Sequence, residues 1–433
     1  MVTTEQLYEI YQKHPIICTD TRAITNDCLF FALKGENFDA NTFAEQALAD
    51  GAAFAVVDNQ KLAKTDRYLF VDDVLTALQE LAKHHRKQLN IPVIGLTGSN
   101  GKTTTKELIR AVLSEQFKTF ATKGNLNNHI GVPLSILSMQ SDVEIAVIEM
   151  GANHQKEIEL LCEIAQPTHG LITNVGMAHL DGFGGFEGVK KGKAELFAYL
   201  KTHNGFAFIN KNNPHLLEMS SKADLNKVIY YGSEKENAIS GKLKHSDPLI
   251  EFEWANQSAT YEAKANLTGT YNFENILAAI CIGDFFEISA EKINNGLANY
   301  YPTNNRSQLT KTESNTVICD FYNANPSSMH AAIANFIQLQ QSPKIAILGD
   351  MFELGKEAGK EHQLILDKAM ASNSEVNCAK VLIPPIENSN NSFSGNFSMV
   401  FRVNFLWPNQ CCSNSLLVII TADILLYYFI EQN

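Results

Sequence analysis

Two rhythms of apolar and polar positions run along this chain. Solid apolar runs of strand length occur at 92–97 (PVIGLT), 145–150 (IAVIEM), 170–174 (GLITN), 315–320 (NTVICD) and 344–349 (KIAILG). Between them lie stretches with apolar residues three and four apart, such as Leu108, Ile109, Val112 and Leu113, which is helical spacing. At the amino end, a helical start over 4–13 leads to a short segment at 16–22 and strand-like residues 28–33. A polar loop at 34–40, a helix around 43–50 and a strand at 53–57 follow. Further on, Lys193-Ala-Glu-Leu-Phe197 is expected to open a helix with Lys193 in its first turn, and 276–282 reads as an Ala-rich helix. The pattern predicts an α/β protein of three units: a small α/β unit at 1–88, a central doubly wound sheet at 89–302, and a Rossmann-like unit from 303 to the end.

Polar groups gather where the strands stop. After 92–97 comes Gly98-Ser-Asn-Gly-Lys-Thr103, then the helix. Glycines let backbone N–H groups approach an anion, and a helix N-terminus offers unpaired donors and a favourable dipole. Lys102 would bring a point charge to the outer phosphates, and the Thr103 hydroxyl would join a magnesium shell. The spacing departs from G-x-x-x-x-G-K-[ST], since Leu96 stands where the first glycine belongs and Gly95 is one place early. A plain tight turn is the alternative, and the Gly-Lys-Thr-Thr-Thr run after an apolar strand favours a nucleotide site.

The run 145–150 delivers Glu149 to the same edge, a sensible magnesium ligand across from a phosphate loop. The run 170–174 empties into Val175-Gly-Met-Ala-His179, which brings His179 there too. A lysine at a helix start, as expected of Lys193, gains nothing from the dipole, and that oddity hints at a role. Asn272 and Asn275, one turn apart, can present amides to one ligand. The loop 121–133 (ATKGNLNNHIGVP) is too polar for a core element and must be held by polar contacts. Asp20-Thr21-Arg22 could sit beside a diphosphate or a base, or be a turn closed by a surface salt bridge; spacing does not separate the two.

Composition narrows the choice of partner. The net charge of −12 argues against a general nucleic-acid or anionic-membrane binder. The eight cysteines lack any CxxC spacing and read as free thiols in a reducing compartment. The first residues, MVTTEQLYEIYQKH, lack a signal-peptide pattern, and the longest apolar candidate, 416–430, is broken by Asp423. A cytoplasmic chain without membrane insertion is expected, and a monomer.

These motifs together resemble the Mur ligases, and within them the type that joins D-alanyl-D-alanine to UDP-N-acetylmuramoyl-tripeptide. The resemblance covers 1 to about 368. It rests on Thr97-Gly-Ser-Asn-Gly-Lys-Thr-Thr-Thr105, Glu149-Met-Gly151, Asn174-Val-Gly-Met-Ala-His179 and Lys193-Ala-Glu195. Its most specific parts are Asp320-Phe-Tyr-Asn-Ala-Asn-Pro-Ser-Ser-Met329 and Leu348-Gly-Asp-Met-Phe-Glu-Leu-Gly355.

The resemblance implies an ATP- and Mg2+-dependent amide ligase of peptidoglycan precursor synthesis acting through an acyl phosphate. ATP would be held by Gly98, Ser99, Asn100, Gly101, Lys102, Thr103, Thr104, Asn275, Arg306 and Asp320. Metal would be held by Thr103, Glu149, His179 and a carbamylated Lys193, with Lys102, Lys193 and His179 catalytic. Thr21, Arg22, Asn128, Asn323 and Asn325 would bind the UDP-muramoyl-tripeptide and the dipeptide. The alternatives are another Mur or folylpolyglutamate-type ligase, or a nucleotide-binding relative without activity.

Two departures stand out. Asn305 occupies a place usually held by glycine, and Asn tolerates positive φ. From about Ala371 the pattern breaks: 371–433 is rich in Asn and Ser, has Pro384-Pro385 and three cysteines, and carries apolar blocks such as 416–420 without rhythm. A frame-shifted or replaced tail is the expectation there, and a divergent but folded ending is the alternative.

Overall fold

The computed structural model describes residues 1–312, 315–341, 344–352, 354–371 and 416–421. The first unit opens with α1 (Thr4–Lys13), started by a capping box between Thr3 and Gln6. It continues with β1 (Ile17–Cys18), β2 (Leu29–Phe31), the hairpin β3 (Lys34–Gly35) and β4 (Phe38–Asp39), α2 (Ala44–Ala49), β5 (Phe54–Val57), β6 (Tyr68–Phe70) and α3 (Val74–Gln88). Its main sheet is parallel in the order β1-β2-β5-β6. One face of α3, with Val74, Leu78, Leu81 and Ala82, enters an apolar core that also holds Val132, Ile136 and Leu161 from the next unit. Buried Arg86 ties the seam, donating to the carbonyls of Ala165 at 2.8 Å and Gln166 at 3.1 Å.

The second unit runs β7 (Val93–Thr97), α4 (Lys102–Leu113), β8 (Thr119–Ala121), α5 (Gly131–Leu137), β9 (Ile145–Glu149), α6 (Glu157–Ala165), β10 (His169–Ile172), α7 (Leu180–Phe183) and α8 (Phe186–Thr202). Then come β11 (Phe206–Asn210), α9 (Pro214–Ala223), β12 (Lys227–Gly232), β13 (Ile239–Ser246), β14 (Leu249–Ala255), β15 (Thr260–Thr268), α10 (Asn272–Phe285) and α11 (Ala290–Asn299). They form one sheet, β15-β14-β13-β12-β11-β10-β7-β9-β8, parallel from β8 to β13 and antiparallel beyond. Every residue of β7, β9 and β10 is buried, which is why these strands read as solid apolar runs. The chain steps from β7 to β9 on one side and β10 on the other, so the crevice of a topological switch opens at their carboxyl ends.

The third unit comprises β16 (Gln308–Lys311), β17 (Asn315–Cys319), α12 (Pro326–Gln338), β18 (Lys344–Leu348), α13 (Ala358–Ala371) and β19 (Leu416–Thr421), in the sheet order β16-β17-β19-β18. The apolar block that lacked rhythm is therefore a strand. It pairs in parallel with both neighbours, Val418 opposite Val317 and Ile345. A strand with two parallel neighbours needs no alternation, so period could not reveal it. The rest of the aberrant tail, with Cys378, Cys411, Cys412 and the frame-shift expectation, lies outside the described residues. The five described cysteines are free. No helix among the described residues is long and apolar enough to cross a membrane.

Candidate active site

The turn after β7 holds its shape through two glycines and the neighbouring strand. Gly98 has φ +148°, and a Cβ there would strike the Thr173 hydroxyl. Gly101, at φ +76°, precedes α4, and a Cβ would lie 2.7 Å from Asn275 Oδ1. Ser99 N–H donates to the Asn174 carbonyl at 3.0 Å, Asn100 N–H to Asn174 Oδ1 at 2.9 Å, and Thr173 Oγ1 to the Asn100 carbonyl at 2.6 Å. The N-terminus of α4 has no side-chain cap, so its donors face the crevice as an anion site requires. Lys102 folds back over the turn, donating to the carbonyls of Gly98 at 2.8 Å and Ser99 at 3.2 Å. Burial lowers its pKa, and the nearby Glu149 charge opposes that shift.

Glu149 closes β9 beside the turn. Its Oε1 accepts from Asn127 Nδ2 at 2.9 Å and from Thr103 Oγ1 at 3.3 Å. Its Oε2 is buried without a hydrogen bond and stands 3.7 Å from the Nζ of fully buried Lys106. An orphaned carboxylate oxygen beside a hydroxyl is a hard-oxygen donor pair that fits magnesium. Among the described residues no three His, Cys, Asp or Glu side chains converge into a cage. Magnesium commonly takes only one or two carboxylates and shares the remainder with phosphate oxygens and water.

Lys193 is not where the sequence suggested. Gly184 and Gly185, both at positive φ, end α7 and set up α8 at Phe186, so Lys193 falls in mid-helix rather than in a first turn. The dipole argument for its role therefore does not apply. Burial supplies another. Lys193 is 2% exposed, its Nζ donates to the Ala152 carbonyl at 3.4 Å, and it lies over the Phe183 ring. Burial first, and the Lys102 charge second, pull its pKa down to about 7, against the pull of Glu157 and Glu195. A large neutral fraction of this amine is therefore present near neutrality.

One cavity of about 730 Å3 gathers most of the residues singled out from the sequence. Ser99, Asn100, Gly101, Lys102, Thr103 and Thr104 line it, with Asn128, Glu149, His179, Asn275, Arg306, Asp320, Asn323 and Asn325. A second cavity, about 380 Å3, shares His179, Tyr322, Asn323 and Asn325 and adds Ala178, Ala324, Phe352 and Leu354. Gly98 and Lys193 stand behind the first cavity's wall. Arg306 stacks on the Tyr322 ring at 3.9 Å, and its Nε is buried without a hydrogen bond. Asp320 is half-buried, and desolvation raises its pKa; it accepts from Ser307 N–H at 3.2 Å and Tyr271 OH at 3.3 Å. Asn305 has φ +55°, as its place in the turn required.

Other expectations meet local competition. Asn272 and Asn275 bond to one another at 2.9 Å within α10, and Asn272 also donates to Thr268 O and Ser307 Oγ. Both line the first cavity, and Asn275 also lies against the phosphate turn at Gly101. Asn128 Oδ1 accepts the Ile130 and Gly131 N–H groups at the start of α5, whereas its neighbour Asn127 is the one touching Glu149. Arg22 is exposed and forks onto Asp20, which also accepts the Arg22 N–H. Neither Thr21 nor Arg22 reaches the two cavities.

Sequence spacing missed Lys106, Asn127 and Asn174. Lys106 sits one turn past Thr103 on the same helix, so the i, i+3 relation was the available signal.

Comparison with known proteins agrees with this geometry. Residues 96–283 match the Mur ligase middle domain, and residues 305–387 match the Mur ligase glutamate ligase domain, which runs past the point where the sequence pattern broke. The UDP-N-acetylmuramoyl-tripeptide–D-alanyl-D-alanine ligase of Bacillus subtilis (strain 168) is 39% identical over 359 residues, covering 78% of this chain and 74% of that protein. The Escherichia coli (strain K12) enzyme of the same name is 36% identical, covering 82% and 79%. The crystal structure of MurF from Acinetobacter baumannii is 27% identical with a TM-score of 0.80, covering 97% of this chain and 95% of that one. With its nucleotide turn, buried lysine and strand-end carboxylate set as described, the chain belongs to the Mur ligase family.

Proposed function

We propose that this chain is an ATP-dependent ligase that joins D-alanyl-D-alanine to UDP-N-acetylmuramoyl-tripeptide in peptidoglycan precursor synthesis. The observation that carries the reading is the convergence of the phosphate turn, Glu149 and His179 on one cavity that opens into a second, partly apolar one. The terminal carboxylate of the tripeptide attacks the γ-phosphorus of ATP, the bond to the β-phosphate oxygen breaks, and acyl phosphate and ADP result. The amine of the dipeptide then attacks the acyl carbon, phosphate leaves, and the nitrogen loses a proton to the departing phosphate.

Two anions must meet in the first step. Lys102 supplies positive charge at the outer phosphates, and the N–H groups of 101–103 cradle them. Thr103 and Glu149 would hold magnesium, which when bound neutralises phosphate charge and polarises the phosphorus. Lys193, carbamylated by attack of its neutral amine on carbon dioxide, would become an anionic oxygen donor for a second magnesium together with His179. Asn275, Arg306 and Asp320 frame the remainder of the nucleotide. The second cavity suits a small dipeptide, its methyl groups against Phe352, Leu354 and Ala178 and its polar atoms toward Asn323. The UDP end would lie on residues 1–88, outside both cavities.

Release of ADP, measured with UDP-muramoyl-tripeptide in the presence and absence of D-alanyl-D-alanine, tests the proposal. Turnover that requires both substrates is expected. ATP hydrolysis indifferent to the amine, or stimulated by glutamate instead, contradicts it.

A further inference from the structure

The third unit touches the tip of the phosphate turn through a small ring of side chains. Asn100 Nδ2 donates to Ser327 Oγ at 2.8 Å, and Asn325 Nδ2 donates to Asn100 Oδ1 at 2.7 Å. Ser327 Oγ donates in turn to Asn325 Oδ1 at 2.8 Å, closing the ring. Asn325 Oδ1 also accepts the Ser328 N–H at 2.9 Å, as the N-cap of α12 in a capping box with Ser328. The amide of Asn325 is thus engaged on both its atoms, which leaves it a poor candidate for direct recognition of a ligand.

On the other side of the ring, the backbone of Asn100 is fixed by Asn174 and Thr173. Gly176 leaves the gap: a Cβ there would lie 3.0 Å from Ser327 Oγ and 3.3 Å from Asn100 Nδ2. The ring therefore joins a loop that receives phosphates to a helix start more than 200 positions later. Asn325 borders both cavities, and its neighbours Asn323 and Ala324 line the second. A ligand in the second cavity would contact the same short segment that holds Asn100.

We propose that Asn325 and Ser327 are positioning residues that set the phosphate turn through Asn100, so that nucleotide affinity and occupancy of the second cavity are coupled. This rests on the reading of that cavity as the dipeptide site. Coupling of this kind is reciprocal in binding free energy and typically amounts to about 5- to 150-fold.

The test is the dissociation constant of a non-hydrolysable ATP analogue with magnesium, measured with and without D-alanyl-D-alanine. Full-length parent chain, Asn325→Ser and Ser327→Ala are compared. Serine keeps an N-cap oxygen for α12 but is too short to reach Asn100, so the two variants remove the ring without uncapping the helix. The parent is expected to change affinity at least about fivefold with dipeptide. In both variants the ratio falls toward one. Combining Ser327→Ala with Asn100→Ala should add no further loss, since both remove one ring. Variants that keep the parental ratio overturn the proposal, as does a parent that turns over yet binds the analogue equally well with and without dipeptide. A parent with no amine-dependent turnover contradicts the ligase reading instead.

Discussion

Residues 98–103 and residues 20–22 look alike in sequence: each offers hydroxyls, a cation and a tight turn where an anion could sit. In the structure they differ in what completes them. The phosphate turn is held by Asn174 and Thr173 from the adjoining strand end and by Asn325 and Ser327 from another unit, with Asn275 close against Gly101. The turn at 20–22 is completed within itself, Asp20 taking both the N–H and the guanidinium of Arg22 in water. A turn whose first two N–H groups are tied down from afar leaves those of 101–103, residues that line the cavity, for a ligand.

The widest separation between the two should come from their cations. Lys102→Ala is expected to lower the rate of ADP formation on the order of 100- to 1,000-fold, the usual cost of removing one charge-stabilising donor, while UDP-substrate binding measured by calorimetry persists. Near-parental ADP release would remove Lys102 from the chemistry.

Lys193 comes next. Lys193→Ala should be inactive and recover in part with short carboxylic acids that replace a carbamate; absence of rescue withdraws support for carbamylation. Its lowered pKa also carries a sign. The folded form releases this proton at about pH 7 and the unfolded chain near 10.5, so the unfolded state binds more protons in that window and stability rises with pH across it. Below about pH 7 the full penalty of a buried ammonium is present. Lys193→Met should therefore raise the melting temperature, relative to parent, more at acidic pH than at pH above 10. In the same way, bicarbonate should reactivate carbonate-depleted parent enzyme far better above pH 7 than below it.

A smaller effect is expected at Lys106, which supports Glu149 from behind. Removing groups that orient a metal ligand typically costs about 10- to 100-fold in metal affinity. Lys106→Met should weaken Mn2+ binding to the analogue complex by that factor, read by electron paramagnetic resonance, and Lys106→Arg should restore part of it. Unchanged Mn2+ affinity in a folded Lys106→Met would reduce Lys106 to a core residue. Smallest of all is Arg22→Ala, for which an unchanged melting temperature and a KM for the UDP-substrate within about twofold of parent are expected. A much larger rise in KM would return Arg22 to substrate binding and erase the contrast drawn above.

What could be read from the sequence follows the same division. The strands β7, β9 and β10, and the glycines of the phosphate turn, were legible because burial on both faces and positive φ each select residue types directly. Helix starts were harder. Lys193 was misplaced because two glycines, and not a capping side chain, mark the beginning of α8. Asn127 and Asn128 could not be told apart, since their different partners are set by Glu149 and α5 at a distance that spacing does not report. The strand at 416–421 was obscured because its parallel neighbours come from two separate stretches upstream. Lys106 stood in plain sight beside the turn, but only the fold reveals that it is fully buried against Glu149 and the Thr122 carbonyl.

The central claim is that a carboxylate oxygen of the tripeptide meets the γ-phosphorus in the cavity bounded by Lys102 and Glu149. Labelling that terminal carboxylate with oxygen-18 and analysing the phosphate released in a complete reaction by mass spectrometry tests it most directly. Phosphate carrying one labelled oxygen, formed together with ADP, is the predicted result. Unlabelled phosphate, or AMP in place of ADP, would contradict the account.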